Sequence, residues 1–402
     1  MPKTLISQRS TGTKVAFGDV VQLSRERSSD PERDGHERFV GLEHIDPSDL
    51  RIRRWGNVAD GVTFTSVFRP GQVLFGKRRA YQRKVAVADF SGVCSGDIYV
   101  LESKGSALLP ELLPFICQTE AFFEHAVGTS AGSLSPRTNW ESLASFEFTL
   151  PPIEEQRRIT DVLAATGTVV DAVDGLRHRT RNLYESALNS AFPALASGAD
   201  ERSAAARILL GTVCEVRPSG VDKHSRAGER EVWLCNYLDV YRNGIIDRNR
   251  AFMKATATDR EIDRYGLRRG DVIITKDSEE PTDIAVPSRV AEDLNDVLCG
   301  YHLAILRPDR SKIDSVYLTH ALRAPASRRY FRTVAQGMSR FGLTLDAIRS
   351  TPLPAEDLAA QVRTGQLLES LYKGIECIDK RLASSKEYQR SVRETILSGS
   401  RK

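Results

Sequence analysis

The feature that most constrains the fold of this chain is an internal repeat. The segment Leu150-Pro-Pro-Ile-Glu-Glu-Gln-Arg-Arg-Ile159 opens a long helical pattern, and Leu353-Pro-Ala-Glu-Asp-Leu358 opens a second one about 200 residues later. Each helical stretch follows a strand-rich and turn-rich segment of similar size. Two copies of a globular unit, each followed by a long helix, favour a molecule that presents two similar binding units over an enzyme built around one pocket.

Three further pairs of segments support the repeat. Each pair is about 200 residues apart, and the order along the chain is the same in both copies. The pairs are Ala16-Phe-Gly-Asp-Val-Val-Gln-Leu23 with Leu209-Leu-Gly-Thr-Val-Cys-Glu-Val216, Arg69-Pro-Gly-Gln-Val-Leu-Phe-Gly-Lys77 with Arg268-Arg-Gly-Asp-Val-Ile-Ile-Thr-Lys276, and Val93-Cys-Ser-Gly-Asp-Ile-Tyr-Val-Leu101 with Leu298-Cys-Gly-Tyr-His-Leu-Ala-Ile-Leu306.

The repeat predicts a division of the chain into six parts. These are a loose tail over 1–14, a first globular unit over 15–150, a central spacer helix over 151–192, a linker over 193–205, a second globular unit over 206–354 and a C-terminal spacer helix over 355–398.

Each globular unit has a mixed pattern, so the predicted fold class is α+β. Short apolar runs at Gln72–Gly76 and Asp271–Thr275 are typical of strands. A hairpin is indicated over Ala86–Leu101, and helical patterns follow at Leu109–Ala126 and Ser315–Ala335.

The two long helices each carry an apolar stripe with the spacing of a coiled coil. Because each stripe requires a partner and both lie in one chain, we expect the helices to pair with each other, antiparallel, with pseudo-twofold symmetry. The first stripe consists of Ile159, Val162, Val169, Val173, Leu176, Leu183 and Ala187. The second consists of Leu368, Leu371, Ile375, Ile378, Leu382, Val392 and Ile396.

Composition narrows the class of protein. The net charge of +4 permits nucleic-acid binding without demanding it. No apolar run approaches the length of a membrane span and the start is not typical of a secretory signal, which argues against membrane insertion and secretion. The six cysteines form no Cys-x-x-Cys pair or zinc-finger spacing, so we interpret them as buried small side chains in a reducing cytoplasm.

The Leu-Pro-Pro-x-Glu-Glu-Gln helix start, the duplicated Gly-[Asp/Gln]-Val-[Leu/Ile] strand and the two long helices together resemble the specificity (S) subunits of Type I restriction-modification systems. The resemblance extends over residues 15–398. It implies two target recognition domains, each reading one half of a bipartite sequence in double-stranded DNA. It also implies that the antiparallel helices separate these domains and dock modification subunits.

The same resemblance implies a chain without catalytic residues or cofactors of its own. Two modification subunits would carry S-adenosylmethionine and methylate adenine for phage defence in the cytoplasm. Restriction subunits would add ATP- and Mg-dependent translocation and cleavage. In agreement, the sequence contains neither the phosphate-binding Gly-x-x-x-x-Gly-Lys-[Ser/Thr] loop nor the Asn/Asp-Pro-Pro-[Tyr/Phe] signature of adenine methyltransferases.

Two departures from the family pattern stand out. The second helix start, Leu353-Pro-Ala-Glu-Asp-Leu-Ala-Ala-Gln361, lacks the Pro-Pro and the Glu-Glu-Gln, which predicts imperfect symmetry of the docking sites. The loops after the paired strands also differ, Arg78-Arg-Ala-Tyr-Gln-Arg83 against Asp277-Ser-Glu-Glu-Pro-Thr282, as expected of units that read different half-sites.

DNA binding is expected to use cations that contact phosphate and planar hydrogen-bond donors that contact base edges. Those of the first unit follow a strand or lie in the Gly/Ser-rich stretch before the first long helix, and those of the second unit include three arginines on one helix face. The candidates are Lys77, Arg78, Arg79, Tyr81, Arg83, Lys84, Arg137, Lys276, Arg328, Arg329, Arg332 and Arg340.

The sequence admits three alternatives to a Type I subunit. Asp89 with Glu102-Ser-Lys104 resembles the metal site of nucleases, but the second copy has Arg307-Pro-Asp309 in place of the Glu-x-Lys. A specificity subunit of a related methylation or nuclease defence system would show the same two-copy plan. A coiled-coil scaffold that binds no DNA would not need the basic loops.

Overall fold

The computed structural model describes residues 12–193 and 207–397. The chain divides into two compact units, Met1–Val173 with Arg381–Lys402 and Asp174–Lys380. We call these unit 1 and unit 2. Most of the tail expected over 1–14 and of the linker expected over 193–205 lies outside the described residues, while Thr13 and Lys14 are in a strand.

The strands of unit 1 are β1 Thr13–Ala16, β2 Val21–Leu23, β3 Arg38–Val40, β4 Gly56–Asn57, β5 Ser66–Phe68, β6 Val73–Gly76, β7 Val85–Val87, β8 Gly92–Cys94, β9 Ile98–Ser103 and β10 Glu147–Leu150. They form two four-stranded sheets, with orders β2-β9-β6-β7 and β4-β3-β8-β5, and the strand pair β1-β10. The helices of unit 1 are α1 Phe17–Val20, α2 Leu113–Cys117, α3 Glu120–Gly128, α4 Trp140–Ala144 and the first part of α5 Ile153–Ala191.

The strands of unit 2 are β11 Arg207–Leu209, β12 Cys214–Pro218, β13 Arg230–Cys235, β14 Ile245–Ile246, β15 Met253–Ala257, β16 Gly266–Leu267, β17 Val272–Thr275, β18 Asp277–Ser278, β19 Pro287–Val290, β20 Leu294–Cys299, β21 Leu303–Pro308, β22 Phe341–Gly342 and β23 Pro352–Pro354. They repeat the plan of unit 1 with a five-stranded sheet, β12-β21-β17-β19-β14, and a four-stranded sheet, β15-β13-β20-β16, plus the pairs β11-β23 and β18-β22. The helices of unit 2 are α6 Leu210–Val213, α7 Tyr237–Tyr241, α8 Asp259–Tyr265, α9 Ser315–Arg323, α10 Pro325–Val334, α11 Leu345–Arg349 and α12 Leu358–Leu397. The part of α5 from Asp174 onward also belongs to unit 2, and the end of α12 from Arg381 onward belongs to unit 1.

The strands predicted from Gln72–Gly76 and Asp271–Thr275 are confirmed as β6 and β17. The hairpin predicted over Ala86–Leu101 is wrong, because β8 pairs with β3 and β5 while β9 pairs with β2 and β6 in the other sheet. Local alternation therefore identified strands correctly but assigned them the wrong neighbours.

The helical pattern over Ser315–Ala335 is interrupted at Ala324. This residue is extended, with φ −61° and ψ 146°, because the ring of Pro325 disfavours a helical conformation for the residue before it. The pattern over Leu109–Ala126 is likewise divided, and α3 starts where the Thr119 side chain accepts a hydrogen bond from the Phe122 N–H. Each of these two predicted helical patterns thus forms two short helices.

Each spacer helix has a buried glutamine in its first turn, and the two glutamines form equivalent sets of three hydrogen bonds. Gln156 accepts from the Leu109 N–H and donates to the carbonyls of Ala107 and Pro151, at 2.8–2.9 Å. Gln361 accepts from the Asp314 N–H at 2.9 Å and donates to two carbonyls, those of Lys312 and Glu356.

The two helix starts share more than their sequences suggest. The second copy keeps the glutamine of the Glu-Glu-Gln motif at Gln361, although it lacks the preceding glutamates. Where the first copy has Pro152, the second has Asp357, whose carboxylate accepts from the Ala360 N–H at 2.8 Å and caps the helix. The glutamine contact to the globular unit is the same in both.

Within unit 2, α5 and α12 run antiparallel. Arg177 donates to Asp379 at 2.7 Å, and two turns later along α5 Tyr184 packs on Tyr372 with ring centroids 5.7 Å apart. In unit 1, the start of α5 and the end of α12 belong to one core, which includes Ile159. The antiparallel coiled coil predicted from the two stripes is confirmed.

The stripe of α12 is confirmed, since Leu368, Ile375 and Leu382 are buried. That of α5 is partly wrong. Ile159 is buried as predicted, but most of the other buried apolar side chains of this helix lie one position later than the predicted ones. The side chains found buried are Leu163, Tyr184 and Leu188, and the predicted ones found exposed are Val162, Val169, Leu176 and Leu183.

Unit 1 also contacts its helical segments through ion pairs. Arg51 and Arg53 both bind Asp171 on α5, at 2.7 and 2.9 Å. Arg390 on α12 binds Glu120 at the start of α3 at 2.8 Å. These contacts fix the globular part of unit 1 to both helices.

Five of the six cysteines are buried and all six are free thiols, while Cys377 is exposed on α12, contrary to the interpretation of all six as buried. Burial raises the pKa of Cys94 and Cys214 to about 12, so these thiols stay protonated.

None of the helices in the described part of the chain combines the length and the hydrophobicity that a membrane span requires.

Candidate nucleic-acid interface

In unit 1, the candidate site is formed by two segments that the sequence separates by more than fifty residues. We call residues 77–79 the Lys77 segment and residues 131–137 tip loop 1. Tip loop 1 is closed by two backbone hydrogen bonds of 3.0 Å between Ala131 and Arg137. The Thr138 N–H donates to the Lys77 carbonyl at 3.1 Å, and the Arg79 N–H donates to the Pro136 carbonyl at 2.7 Å.

Asp97 organises the cations of this site. Its carboxylate accepts from Arg137 at 2.9 Å and from Arg78 at 3.1 Å. Burial opposes ionisation of Asp97, but the hydrogen bonds from Arg137 and Arg78 outweigh it, so the pKa of this carboxyl is lowered. Asp97 thus stays charged and holds two guanidinium groups at the surface.

The remaining members of the Lys77 segment are also positioned. Lys77 lies over the ring of Tyr99, 4.6 Å from its centroid, and burial lowers the pKa of its ammonium group. Arg78 and Arg79 both donate to the Ser135 hydroxyl, at 3.1 and 3.2 Å. Arg79 has a left-handed backbone (φ 53°), an uncommon conformation for a residue other than glycine that is often found at functional sites.

In unit 2, the corresponding segments have the same backbone contacts. We call residues 276–278 the Lys276 segment and residues 336–342 tip loop 2. Two hydrogen bonds between Gln336 and Gly342, of 3.0 and 2.8 Å, close tip loop 2. The Leu343 N–H donates to the Lys276 carbonyl at 3.0 Å, as Thr138 does to Lys77 in unit 1.

The side chains at the matched positions differ. His302 takes the place of Asp97, since the Lys276 N–H donates to the His302 carbonyl at 2.8 Å as the Lys77 N–H does to that of Asp97 at 2.9 Å. Asp277 lies 2.5 Å from Nδ1 of His302, and Arg340 lies 3.3 Å from the same ring. One backbone frame therefore presents an aspartate with two arginines in unit 1 and a histidine between an aspartate and an arginine in unit 2.

Several predicted candidates lie outside these two sites. Arg83 forms a bidentate pair with Glu120 at 2.5 Å, and Lys84 donates to the Leu42 carbonyl at 2.5 Å, so both side chains are bound by the protein. Tyr81 is exposed in the short turn that follows the Lys77 segment.

The three remaining arginines of unit 2 are exposed on α10, which confirms their predicted helical position. Arg328 donates to the Thr282 carbonyl at 3.2 Å. Arg329 and Arg332, three residues apart, lie on neighbouring positions of the helix surface.

Sequence reasoning missed the residues that orient the cations, namely Asp97, Ser135, His302 and Asp277. The repeat carried the signal for two of them, because Asp97 and His302 occupy equal positions in the paired segments Val93–Leu101 and Leu298–Leu306. The nuclease-like trio is not supported. Glu102 accepts from Gln22 and Gln72, and residues 12–193 and 207–397 contain no group of three or more His, Cys, Asp or Glu that could hold a metal ion.

Part of unit 1 matches a known protein family. Residues 61–172, which hold the Lys77 segment and tip loop 1, match the family described as the Type I restriction modification DNA specificity domain. This part of the chain is therefore similar to the DNA specificity domain of Type I restriction-modification systems. A curated relative, the EcoDI Type I restriction enzyme specificity subunit of Escherichia coli, is 33% identical over 184 residues, or 42% of this chain. The match spans 40% of the length of that relative.

Two solved structures from Type I restriction-modification systems share the fold over nearly the whole chain. The Type I S subunit from M. genitalium aligns with a TM-score of 0.60 at 13% identity, covering 98% of this chain and 97% of that one. A chain solved in work on complex assembly and conformational transition of the type I R-M system aligns with a TM-score of 0.56 at 20% identity, covering 97% and 98%. At these identities the likeness concerns the fold.

Proposed function

We propose that this chain is the non-catalytic specificity subunit of a Type I restriction-modification complex, in which each unit reads one half of a bipartite target in double-stranded DNA. The observation that carries the proposal is the pair of sites with the same backbone frame and different side chains. A shared frame would place both sites against DNA in the same way, and the different side chains would select different bases.

In unit 1, Arg78, Arg79 and Arg137 are the proposed base and phosphate contacts, with Lys77 behind them. Arginine binds guanine in bidentate fashion through O6 and N7, and such a contact needs a guanidinium group that is already oriented. Asp97 and Ser135 provide this orientation.

In unit 2, Arg340 and Lys276 are the proposed contacts at the corresponding place, and His302 adds a ring that can donate or accept. The exposed arginines of α10, Arg328, Arg329 and Arg332, are proposed phosphate contacts because they form a basic surface without a carboxylate pair among the contacts described. Phosphate contacts would set the orientation of the unit, and tip loop 2 would read sequence.

The exposed stripe of α5 supports docking of a partner. Val162, Val169, Leu176 and Leu183 are apolar, exposed and one heptad apart, so they fall on one side of the helix. We propose that modification subunits, two in number, cover apolar helix surface of this kind. They would bring S-adenosylmethionine, and restriction subunits would bring ATP and Mg²⁺, all in the cytoplasm.

Replacing Arg137 or Arg340 by alanine tests the assignment of one half-site to each unit. We expect each change to weaken binding about tenfold and to relax base preference in one half-site only, a different half for each. The full-length chain is measured by fluorescence anisotropy on a duplex of about 40 bp selected from a random library by the wild-type chain, with each half varied in turn.

Arg158→Ala is the matched control, because Arg158 is an exposed arginine of α5 that pairs with Glu155. It should bind the duplex as the wild type does. Equal loss of affinity on every sequence would mean phosphate contact alone, and unchanged affinity in both variants would refute the assignment. A wild-type chain that selects no duplex would favour the scaffold alternative.

A further inference from the structure

The two tip loops each expose an apolar side chain. Leu134 is 89% exposed and Met338 is 99% exposed, more than any other large hydrophobic residue in the part of the chain that the structure describes. Single exposed apolar residues are common on protein surfaces. These two are notable because they occur at corresponding loops of two units whose other side chains have diverged.

In unit 1, the tip loop is built to hold this side chain away from the core. The hydrogen bonds between Ala131 and Arg137 close the base of the loop, and the guanidinium groups of Arg78 and Arg79 hold Ser135, the residue after Leu134. Leu134 therefore extends from a braced turn and does not fold back onto unit 1.

Tip loop 2 has the same property with different residues. Gly337 adopts φ 143°, and a Cβ atom there would lie 1.9 Å from the Arg340 carbonyl oxygen, so the turn requires glycine. Met338 follows directly, while Gly342 closes the base of the loop with Gln336. The turn that Gly337 makes possible therefore presents the Met338 side chain to solvent.

The neighbours of the two tips indicate what covers them. Leu134 is flanked by Arg78, Arg79 and Arg137, and Met338 lies in the same loop as Arg340, beside Lys276. These neighbours favour a partner that is strongly anionic on its outside and offers apolar surface behind its charged groups. Duplex DNA has this organisation, with phosphates outside and bases within the grooves.

We propose that Leu134 and Met338 are specificity-determining residues that place apolar surface against DNA bases, one in each half-site. This inference rests on the proposed function and adds a contact of a different kind to the arginines. The arginines neutralise phosphate or bind base edges, whereas the tips displace water from a base surface.

Near-isosteric polar substitutions test the proposal. Leu134→Asn and Met338→Gln in the full-length chain should each lower affinity for the selected 40-bp duplex about tenfold. The slope of log K against log salt should stay at the wild-type value, because no cation is removed. Arg329→Ala, which removes a proposed phosphate contact, should lower that slope by about one, so the two kinds of contact are separable.

Leu367→Asn is the control for a general effect of exposed apolar surface. Leu367 is exposed on α12, and its replacement should leave DNA affinity and salt slope unchanged. Thermal unfolding of all variants checks that the substitutions leave the fold intact. We expect no change for the tip-loop variants, because these loops contribute little buried area.

Two apolar surfaces of DNA are distinguished by probes. A thymine methyl group in the major groove is detected by replacing thymine with uracil, which should weaken wild-type binding but not that of Leu134→Asn. An unstacked base step is detected by 2-aminopurine, whose fluorescence should rise with the wild-type chain only. A response to either probe supports the proposal, and a response to neither overturns it.

Failure of this inference differs from failure of the proposed function. If Leu134→Asn and Met338→Gln bind as tightly as the wild type while Arg137→Ala and Arg340→Ala weaken binding, the tips do not touch bases and the proposed function stands. If the wild-type chain prefers no duplex, both are wrong.

Discussion

Replacing Glu369 by glutamine should lower the free energy of unfolding of unit 2 by about 3 kcal/mol near neutral pH. Glu369 of α12 is only 13% exposed, and its carboxylate accepts from Arg289 at 2.9 Å and from Nε2 of His320 at 3.2 Å. His320 in turn accepts the Tyr184 hydroxyl at Nδ1, at 2.9 Å. Because Tyr184 is on α5, this chain of contacts joins both long helices to the globular part of unit 2.

The same carboxyl group should govern acid stability. Burial opposes its ionisation, but contacts with His320 and Arg289 outweigh this and lower the pKa of Glu369 to about 2. A carboxyl with a folded-state pKa below its unfolded value of 4.5 stabilises the protein above pH 4.5. That stabilisation is lost as pH falls from 4.5 toward 2.

His320 acts in a higher pH range. Burial lowers the pKa of its imidazole from the usual 6.5, so the folded state holds the neutral ring. The contribution of the neutral His320 ring to stability is therefore complete above pH 6.5, and it is lost as pH falls from 6.5 through the lowered folded-state pKa. Glu369→Gln should remove the loss of stability between pH 4.5 and 2 and leave a decline that begins below pH 6.5.

Urea unfolding followed by hydrogen exchange of unit 2 peptides, between pH 7.5 and 3, measures both effects. Glu387→Gln, at an exposed position of α12, is the control and should behave as the wild type. A Glu369→Gln variant as stable as this control, or one with the wild-type decline below pH 4.5, would contradict the assigned network.

Loss of either buried glutamine should destabilise one unit alone. Gln156 and Gln361 are 1% and 0% exposed. Leucine at either position would leave an N–H and two carbonyls without the partner that the glutamine provides. Buried polar groups without partners cost about 1–3 kcal/mol each, partly relieved by water at helix ends, so we expect a loss of about 3 kcal/mol.

Hydrogen exchange resolved by unit measures the result. Gln156→Leu should speed exchange in unit 1 and leave unit 2 unchanged, and Gln361→Leu should do the reverse. Gln366→Leu, at an exposed position of α12, supplies the control. Equal effects on both units would mean that the glutamines act through the coiled coil and do not anchor separate units.

These glutamines also show what the sequence could reveal about the fold. The repeat predicted two units and two helices, and the structure confirmed both because order and spacing survive divergence. The register of α5 was not predictable from period alone. The helix carries two apolar stripes, one with Leu163 and Leu188 and another with Val162 and Val169, and periodicity does not tell which of them meets α12.

Sequence reasoning picked out clustered cations as candidates and missed the side chains that orient them. Arg78, Arg137 and Arg340 stand out in a sequence because clustered positive charge is visible there. Asp97 and His302 do not, since their role depends on β9 and β21 bringing them beside loops that are distant along the chain. The carboxylate of Glu120, which binds Arg83, is equally invisible from sequence.

We propose that the two units read two half-sites, and this is measured by co-expressing the chain with the proposed modification subunit and mapping methylated adenines across the host genome by long-read sequencing. We expect a split motif of two short specific sequences around a fixed gap of unspecified bases. Arg137→Ala should relax one half and Arg340→Ala the other. A continuous motif, or two variants that relax the same half, would show that the units do not read separate half-sites.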